Sequence, residues 1–165
     1  MSHYRRLLIP GASYFFTVVT YQRQPLFNNA HNVELLRASF RYALARRPFQ
    51  LNAIVVLPDH LHCIWTLPEH DANYSSRWQM LKSSFTRKLN RTPVWQPRYW
   101  EHCLRDEDDW RRHLDYIHFN PVKHGLAASP GEWEFSSFRR FAAAGYYDGS
   151  WGSDEPSSVW GLTSE

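Results

Sequence analysis

Two apolar runs separated by only two residues constrain the fold more than any other feature of this sequence. Residues 51–57 (LNAIVVL) and 60–67 (HLHCIWTL) are rich in β-branched and aromatic side chains, which favour strands. Pro58 and Asp59 between them are residue types that favour tight turns. The segment therefore predicts a β-hairpin within an antiparallel sheet.

Strand and helix patterns surround this hairpin. Residues 14–21 (YFFTVVTY) are aromatic and β-branched, and residues 100–105 form a shorter strand-like run. Apolar side chains at spacings of three and four predict amphipathic helices over residues 32–46 and 75–89.

A third helix is predicted to begin after Asp106, a natural N-cap that is followed by three acidic residues suited to the positive end of the helix dipole. The Asn120-Pro121 pair is predicted to end it, because a residue before proline is disfavoured in the helical region. The resulting order β-α-β-β-α-β-α predicts an α+β, ferredoxin-like (RRM-like) antiparallel sheet, with two helices on one face and one further helix.

The third helix has two polar side chains that we expect to face away from the core. At about 100° per residue, Trp110, Leu114 and Ile117 form one apolar stripe. Tyr116 lies roughly 130° from that stripe, and Asn120 follows it by one turn. Taken alone, Tyr116 and Asn120 are ordinary residues for the exposed face of a helix.

The charge distribution is uneven along the 165 residues, a length that predicts one domain. Residues 141–165 carry four acidic groups and no Lys or Arg, so the net charge of +3 becomes +7 when their −4 is removed. Sixteen of the nineteen basic residues are Arg, which suits bidentate contacts to phosphate and guanine. The pattern fits a solvated surface with a basic bias or, as we favour, a nucleic-acid-binding body with an acidic tail.

Secretion and membrane insertion are not predicted. The two cysteines, Cys63 and Cys103, give no disulfide framework and no zinc spacing. The amino-terminal residues MSHYRRLLIPG lead into no long apolar stretch. We therefore expect a cytoplasmic protein.

A His-hydrophobic-His triplet, His60-Leu61-His62, opens the second strand of the hairpin. Side chains two apart on a strand point to the same face, so both imidazoles should project side by side, as a metal pair requires. The triplet is also compatible with two structural histidines.

These segments together resemble the single-tyrosine HUH transposases and, within them, the REP-associated tyrosine transposases. The resemblance rests on YRRLLIPGASYFFTVVT, VVLPDHLHCIW, WQPRYWEHCLRDEDDWRRHLDYIHFNPVKHGL and EWEFSSFRRF. It covers roughly residues 4–141, which we take as the transposase domain, and leaves residues 142–165 as an acidic, aromatic tail.

The resemblance implies an HUH endonuclease architecture and a set of site residues. His60 and His62 would hold Mg²⁺ or Mn²⁺, with Asn120 as a third polar ligand, and Tyr116 would be the nucleophile. The implied activity is metal-dependent nicking and rejoining of single-stranded DNA next to REP-type hairpins, through a 5′-phosphotyrosine intermediate.

The implied partner is a single-stranded DNA hairpin of the REP palindrome type, bound by a nucleoid-associated monomer, with a dimer as the alternative. Basic side chains are the candidate phosphate contacts. These are Arg5, Arg6, Arg23, Lys82, Arg87, Lys88, Arg98, Arg112, Lys123, Arg139 and Arg140.

Two other functions stay open at this point. A non-catalytic DNA-binding regulator on the same fold would need neither the histidine pair nor Tyr116. A zinc hydrolase would need a further strong ligand, and no H-E-x-x-H motif accompanies the pair.

The tail after residue 141 is predicted to be loosely ordered. Its carboxylates and aromatic rings could imitate phosphates and bases, and so partly occlude a basic DNA site to which they are tethered. The alternative is a disordered solubilising tail.

Overall fold

The computed structural model describes residues 6–163 and contains a four-stranded antiparallel sheet with helices on both faces. The main elements are β1 (Ser13–Val19), α1 (Ala30–Arg46), β2 (Gln50–Leu57), β3 (His60–Thr66), α2 (Tyr74–Leu89), β4 (Trp100–Cys103), α3 (Glu107–Lys123) and α4 (Phe138–Ala143). The strand order is β2-β3-β1-β4, and all three pairings are antiparallel. This arrangement confirms the predicted α+β, ferredoxin-like fold.

The β2–β3 hairpin forms as predicted, with Leu57 paired to His60 across the two-residue turn. On its other side β3 pairs with β1, where Thr17 lies opposite His62. The strand that carries the histidines is thus an inner strand, fixed on both edges by backbone hydrogen bonds.

The two faces of the sheet bury separate cores, because successive side chains of a strand point to opposite sides. Leu61, Cys63 and Trp65 of β3 pack in the larger cluster with α1 and α2. Ile64 of the same strand packs with Leu114 of α3 in the second cluster. By the same alternation, the face of β3 that carries His60 and His62 is the one that α3 covers.

Polar side chains fix the starts of the three long helices. The side chains of Asn29, Asn73 and Asp106 accept hydrogen bonds from the backbone N–H three residues later, at the starts of α1, α2 and α3. The N-cap predicted at Asp106 is therefore confirmed.

The prediction that the third helix ends at Asn120-Pro121 is wrong, because α3 continues through Pro121 to Lys123. A proline inside a helix removes its own N–H but leaves its carbonyl able to accept. The backbone N–H of Leu126 donates to the Pro121 oxygen at 2.8 Å, and that of Gly125 donates to the Val122 oxygen at 3.0 Å. With Gly125 at φ 69°, these two bonds form a Schellman cap, which stabilises the extra turn.

The prediction of a loosely ordered tail is also wrong for the described residues. Tyr147 and Val159 are buried, and the side chain of Asp115 on α3 accepts hydrogen bonds from the Tyr147 hydroxyl at 3.0 Å and the Ser158 hydroxyl at 2.8 Å. Because α3 offers a buried carboxylate on its outer side, the tail has a partner to order against. The predicted boundary at residue 141 falls inside α4, and the division into domain and tail stays a prediction.

Candidate active site

His60 and His62 lie side by side on β3, with their ring centroids 4.9 Å apart. His60 is 3% exposed and His62 is fully buried, beneath α3. The same-face geometry predicted from the H-x-H spacing is therefore present.

Each ring is oriented through its Nδ1 atom. His60 Nδ1 lies 2.6 Å from Asp59 Oδ1, and His62 Nδ1 lies 2.7 Å from Thr17 Oγ1. Such partners fix the tautomer and orientation of metal-binding histidines. They make Nε2 of each ring the candidate metal ligand.

Asp59 is itself held by a cation. Arg23 donates to Asp59 Oδ2 at 3.2 Å, so that Arg23, Asp59 and His60 form a chain. Burial acts to raise the pKa of the Asp59 carboxyl, but the His60 hydrogen bond and the charges of His60 and Arg23 outweigh it and hold that pKa below its usual value. The group next to His60 is therefore an ionised carboxylate.

Tyr116 faces the sheet, and the prediction that it points away from the core is wrong. Its side chain is 3% exposed, and its ring centroid lies 5.3 Å from that of His62 and 6.0 Å from that of Phe15. Asn120, one turn later, is fully buried. Leu114 and Ile117 of the apolar stripe pack in the same cluster as the sheet residues, so the buried face of the helix is wider than the stripe and includes Tyr116.

Lys123 is the cation next to the Tyr116 hydroxyl. Its Nζ donates to that oxygen at 3.2 Å and lies 4.8 Å from the centroid of the phenol ring. From the sequence alone, Lys123 is predicted as one of the general phosphate contacts. The structure places it at the candidate nucleophile instead, on the turn of α3 that follows Pro121.

His124 is a candidate site residue that the sequence alone does not distinguish from the other histidines. Its ring centroid lies 5.4 Å from that of His60. Both residues line a cleft of about 330 Å³, together with Arg23 and Asp59. Gly125 is the sequence feature that could have identified His124. It is a natural helix stop that lies after Pro121, so it predicts a longer helix whose end carries His124.

The other basic candidates fall into distinct environments. Arg6 pairs with Glu101 at 2.9 Å, and Lys82 Nζ donates to the Gln96 carbonyl at 3.1 Å. Both cations lie near the Tyr99 ring, on the side of the sheet opposite α3. They are therefore remote from the histidine pair.

Three arginines hold backbone carbonyls. Arg112 donates to the oxygens of Ser158 and Trp160 at 2.9 Å each, Arg139 donates to Gly131, and Arg140 donates to Asn52. Three further cations are exposed on or after α2: Arg87, Lys88 and Arg98. Arg5 lies outside the described residues.

Comparison with known proteins places the chain in a family, although no family model matches it. A curated protein of Escherichia coli K12, named REP-associated tyrosine transposase, is 46% identical over 155 residues, which cover 93% of each chain. The chain belongs to the REP-associated tyrosine transposase family. A Haemophilus influenzae protein named for the same family is 38% identical over 98% of this chain and 99% of its own length.

A solved structure shares the fold of this transposase family member along its whole length. It shows a REP-associated tyrosine transposase bound to a REP hairpin, and it matches with a TM-score of 0.87 and 43% sequence identity. The match covers 99% of this chain and all of that chain. Separately, no helix in residues 6–163 combines the length and apolar character needed to cross a membrane.

Proposed function

We propose that this chain is a metal-dependent nuclease and strand transferase that nicks and rejoins single-stranded DNA beside REP-type hairpins. The observation that carries the proposal is the placement of Tyr116 5.3 Å from His62, ring centroid to ring centroid, on the helix that covers the histidine pair. The hairpin bound by the structural relative supports the choice of substrate.

The residues present fit a divalent metal. His60 and His62 offer two imidazoles whose Nδ1 atoms are already held, and Asn120 offers an amide on the facing helix. This donor set leaves coordination positions for phosphate oxygens on Mg²⁺ or Mn²⁺. When bound there, the metal would polarise the scissile phosphate.

The covalent step is assigned to Tyr116. The Tyr116 hydroxyl releases its proton to solvent, and its oxygen forms a bond to the scissile phosphorus while the bond from phosphorus to the 3′-oxygen breaks. The departing 3′-oxygen takes up a proton, which leaves a 5′-phosphotyrosine and a 3′-hydroxyl. Lys123 donates to the attacking oxygen and stabilises negative charge that develops on it. Attack by a 3′-hydroxyl reverses the step, so rejoining needs no external energy.

One chain supplies both parts of the site, which supports a monomer as the active form. The exposed cations Arg87, Lys88 and Arg98 remain candidates for hairpin phosphates. A chromosomal DNA substrate also implies a cytoplasmic, nucleoid-associated location.

The tail is proposed to limit access to Tyr116. Gly161, Leu162 and Thr163 line a cavity of about 170 Å³ that Tyr116 also lines. Arg112 holds the carbonyls of the preceding residues, which keeps this segment in place.

The test is formation of a covalent adduct with a labelled single-stranded REP-type hairpin, detected on a denaturing gel with Mn²⁺ or with EDTA. The wild-type protein should give a metal-dependent adduct, and Tyr116→Phe should bind the hairpin without forming one. Tyr99→Phe is the matched control, because Tyr99 lies across the sheet and its loss should leave the adduct intact.

An adduct that persists in Tyr116→Phe would refute the nucleophile assignment. Hairpin binding by the wild-type protein with no adduct under any metal would favour the non-catalytic regulator. A zinc hydrolase would release cleaved DNA with no protein attached.

A further inference from the structure

Three side chains of metal-binding types converge at a place separate from the histidine pair. His102 comes from β4, and Asp109 and His113 come from the first half of α3. One ligand atom of each residue lies within 4.8 Å of the other two. Within the described residues 6–163, these three form the group of His, Cys, Asp or Glu side chains whose ligand atoms lie this close together.

The fold brings the three together through register and helical spacing. His102 is paired with Phe15 across the β1–β4 ladder, and the Phe15 side chain faces α3. Asp109 and His113 are four residues apart, so they share one helix face. The rings of His102 and His113 stack with centroids 4.7 Å apart, which fixes their separation.

The hydrogen bonds prepare His113 as a ligand and hold His102 against the carboxylate. His102 Nε2 lies 2.8 Å from Asp109 Oδ2. His113 Nδ1 lies 2.8 Å from the Asp109 backbone oxygen and 3.2 Å from Oδ1. Because both neighbours are acceptors, this Nδ1 carries the proton and Nε2 carries the lone pair.

The protonation states suit a metal ion. Burial lowers the pKa of His113, which keeps the imidazole neutral. Burial acts to raise the pKa of Asp109, but hydrogen bonds from the Arg105 backbone and His102 outweigh it, so the carboxyl is ionised. The Arg105 side chain, 3.4 Å from Asp109 Oδ2, is 75% exposed and has room to move aside.

We propose that His102, Asp109 and His113 form a second divalent metal site, for Zn²⁺ or a similar borderline ion, that clamps β4 to α3. Two imidazoles and one carboxylate suit such ions better than Mg²⁺. The carboxylate adds a negative charge that the set of His60, His62 and Asn120 lacks, so this site should bind the ion more tightly.

Forming the site needs a rearrangement of His102, whose Nε2 now lies 2.8 Å from Asp109 Oδ2 and whose ring stacks on that of His113. Tetrahedral Zn²⁺ with bonds near 2.0–2.1 Å holds its ligand atoms about 3.4 Å apart. His102, on a short edge strand and 27% exposed, can make that movement and bind through Nε2 once its proton shifts to Nδ1. The cavity of about 170 Å³ beside the three residues has room for a water as fourth ligand.

The consequence concerns the helix that carries Tyr116. His113 precedes Tyr116 by three residues, nearly one turn, and both line the same cavity. A metal at this site would join the first half of that helix to the edge of the sheet. The metal would be structural: it would hold the helix that carries Tyr116 and take no part in the covalent step.

Co²⁺ provides the test, because its visible absorption reports imidazole and carboxylate ligation without any DNA. The His60→Ala/His62→Ala protein should still bind one equivalent with a visible spectrum. Adding His102→Ala should weaken that binding by at least about 100-fold, since a ligand and not an outer partner is removed. Adding the exposed His70→Ala instead is the matched control and should change nothing.

Thermal unfolding with Zn²⁺ or EDTA provides a second measurement. Zn²⁺ should raise the Tm of the His60→Ala/His62→Ala protein, but not that of the His60→Ala/His62→Ala/His102→Ala protein, in which neither proposed site is complete. The proposal fails if His60→Ala/His62→Ala gives no Co²⁺ spectrum, or if Zn²⁺ raises the Tm of the triple variant equally. Neither readout depends on cleavage, so failure here is distinct from failure of the proposed nuclease.

Discussion

Asp59→Asn offers a test of metal binding that leaves every proposed ligand in place. The substitution keeps an oxygen that can accept from His60 Nδ1, now 2.6 Å from the carboxylate, but it removes the negative charge. It also removes the ionic partner of Arg23, at 3.2 Å. The variant should therefore fold normally while holding His60 less firmly and making it a weaker ligand.

The expected loss of metal affinity follows from the role of Asp59, which hydrogen-bonds to a proposed metal ligand and does not itself bind the metal. Loss of such a partner typically weakens metal affinity roughly 10–100-fold, which corresponds to about 1.4–2.8 kcal/mol. The short hydrogen bond and the burial of His60 place Asp59 in this range. Because the Asn side-chain oxygen can still accept the hydrogen bond from His60 Nδ1, we expect a loss of affinity in the lower half of this range.

The assay measures adduct formation as a function of Mn²⁺ concentration. Asp59→Asn should shift the half-saturating concentration upward and recover most of the wild-type rate when Mn²⁺ saturates. Glu34→Gln, which breaks an exposed carboxylate pair with Arg41 on α1, is the control and should leave the curve unchanged. An unchanged Mn²⁺ curve for Asp59→Asn would refute the metal role of His60, and a lower rate at all concentrations would point to a different role for Asp59.

Two further predictions concern Tyr116. Lys123→Met should slow adduct formation roughly 100-fold, because it removes the donor 3.2 Å from the Tyr116 hydroxyl. Single-turnover kinetics on the hairpin measure this rate. An unchanged rate would exclude Lys123 from the reaction. Deleting residues after Val159 should raise the cleavage rate, because it removes Gly161–Thr163 from the cavity beside Tyr116 and keeps the Tyr147 and Ser158 bonds to Asp115. Full-length Asp154→Asn controls for charge alone, and an unchanged or lower rate in the truncated protein would contradict occlusion.

The sheet could be predicted from the sequence because its signals are local. The turn residues Pro58 and Asp59 set the hairpin, and the two-residue period of a strand fixes His60 and His62 on one face. Neither conclusion depends on what packs against the strand.

The orientation of Tyr116 could not be predicted in the same way. Periodicity reveals a buried face only when the opposite face is solvated, and residues 113–121 of α3 are all buried. Trp110 and Ile117 mark an apolar stripe, but the sheet and the tail both compete for the helix. The acidic composition of the tail suggests loose order, and it does not reveal that Tyr147 and Ser158 donate hydrogen bonds to Asp115.

The end of α3 was misjudged for a different reason. The rule that helices stop before proline is statistical, and here the cap at Gly125 provides a later stop. The error mattered because the added turn carries both Lys123 and His124. If Gly125 is taken as the helix stop in place of Pro121, the sequence predicts both residues in the candidate site.

Phe15 packs against both parts of the proposed machinery, the histidine pair on the sheet and Tyr116 on the helix. Its ring centroid lies 5.5 Å from that of His62 on the sheet, and 4.8 Å and 6.0 Å from those of His113 and Tyr116 on the helix. Because this one apolar side chain touches both, its size and shape influence how the proposed nucleophile meets the histidine pair. Since misplacement of about 1 Å can cost roughly 100-fold in rate, the catalytic rate of such an enzyme can be tuned from within its core, with every polar group unchanged.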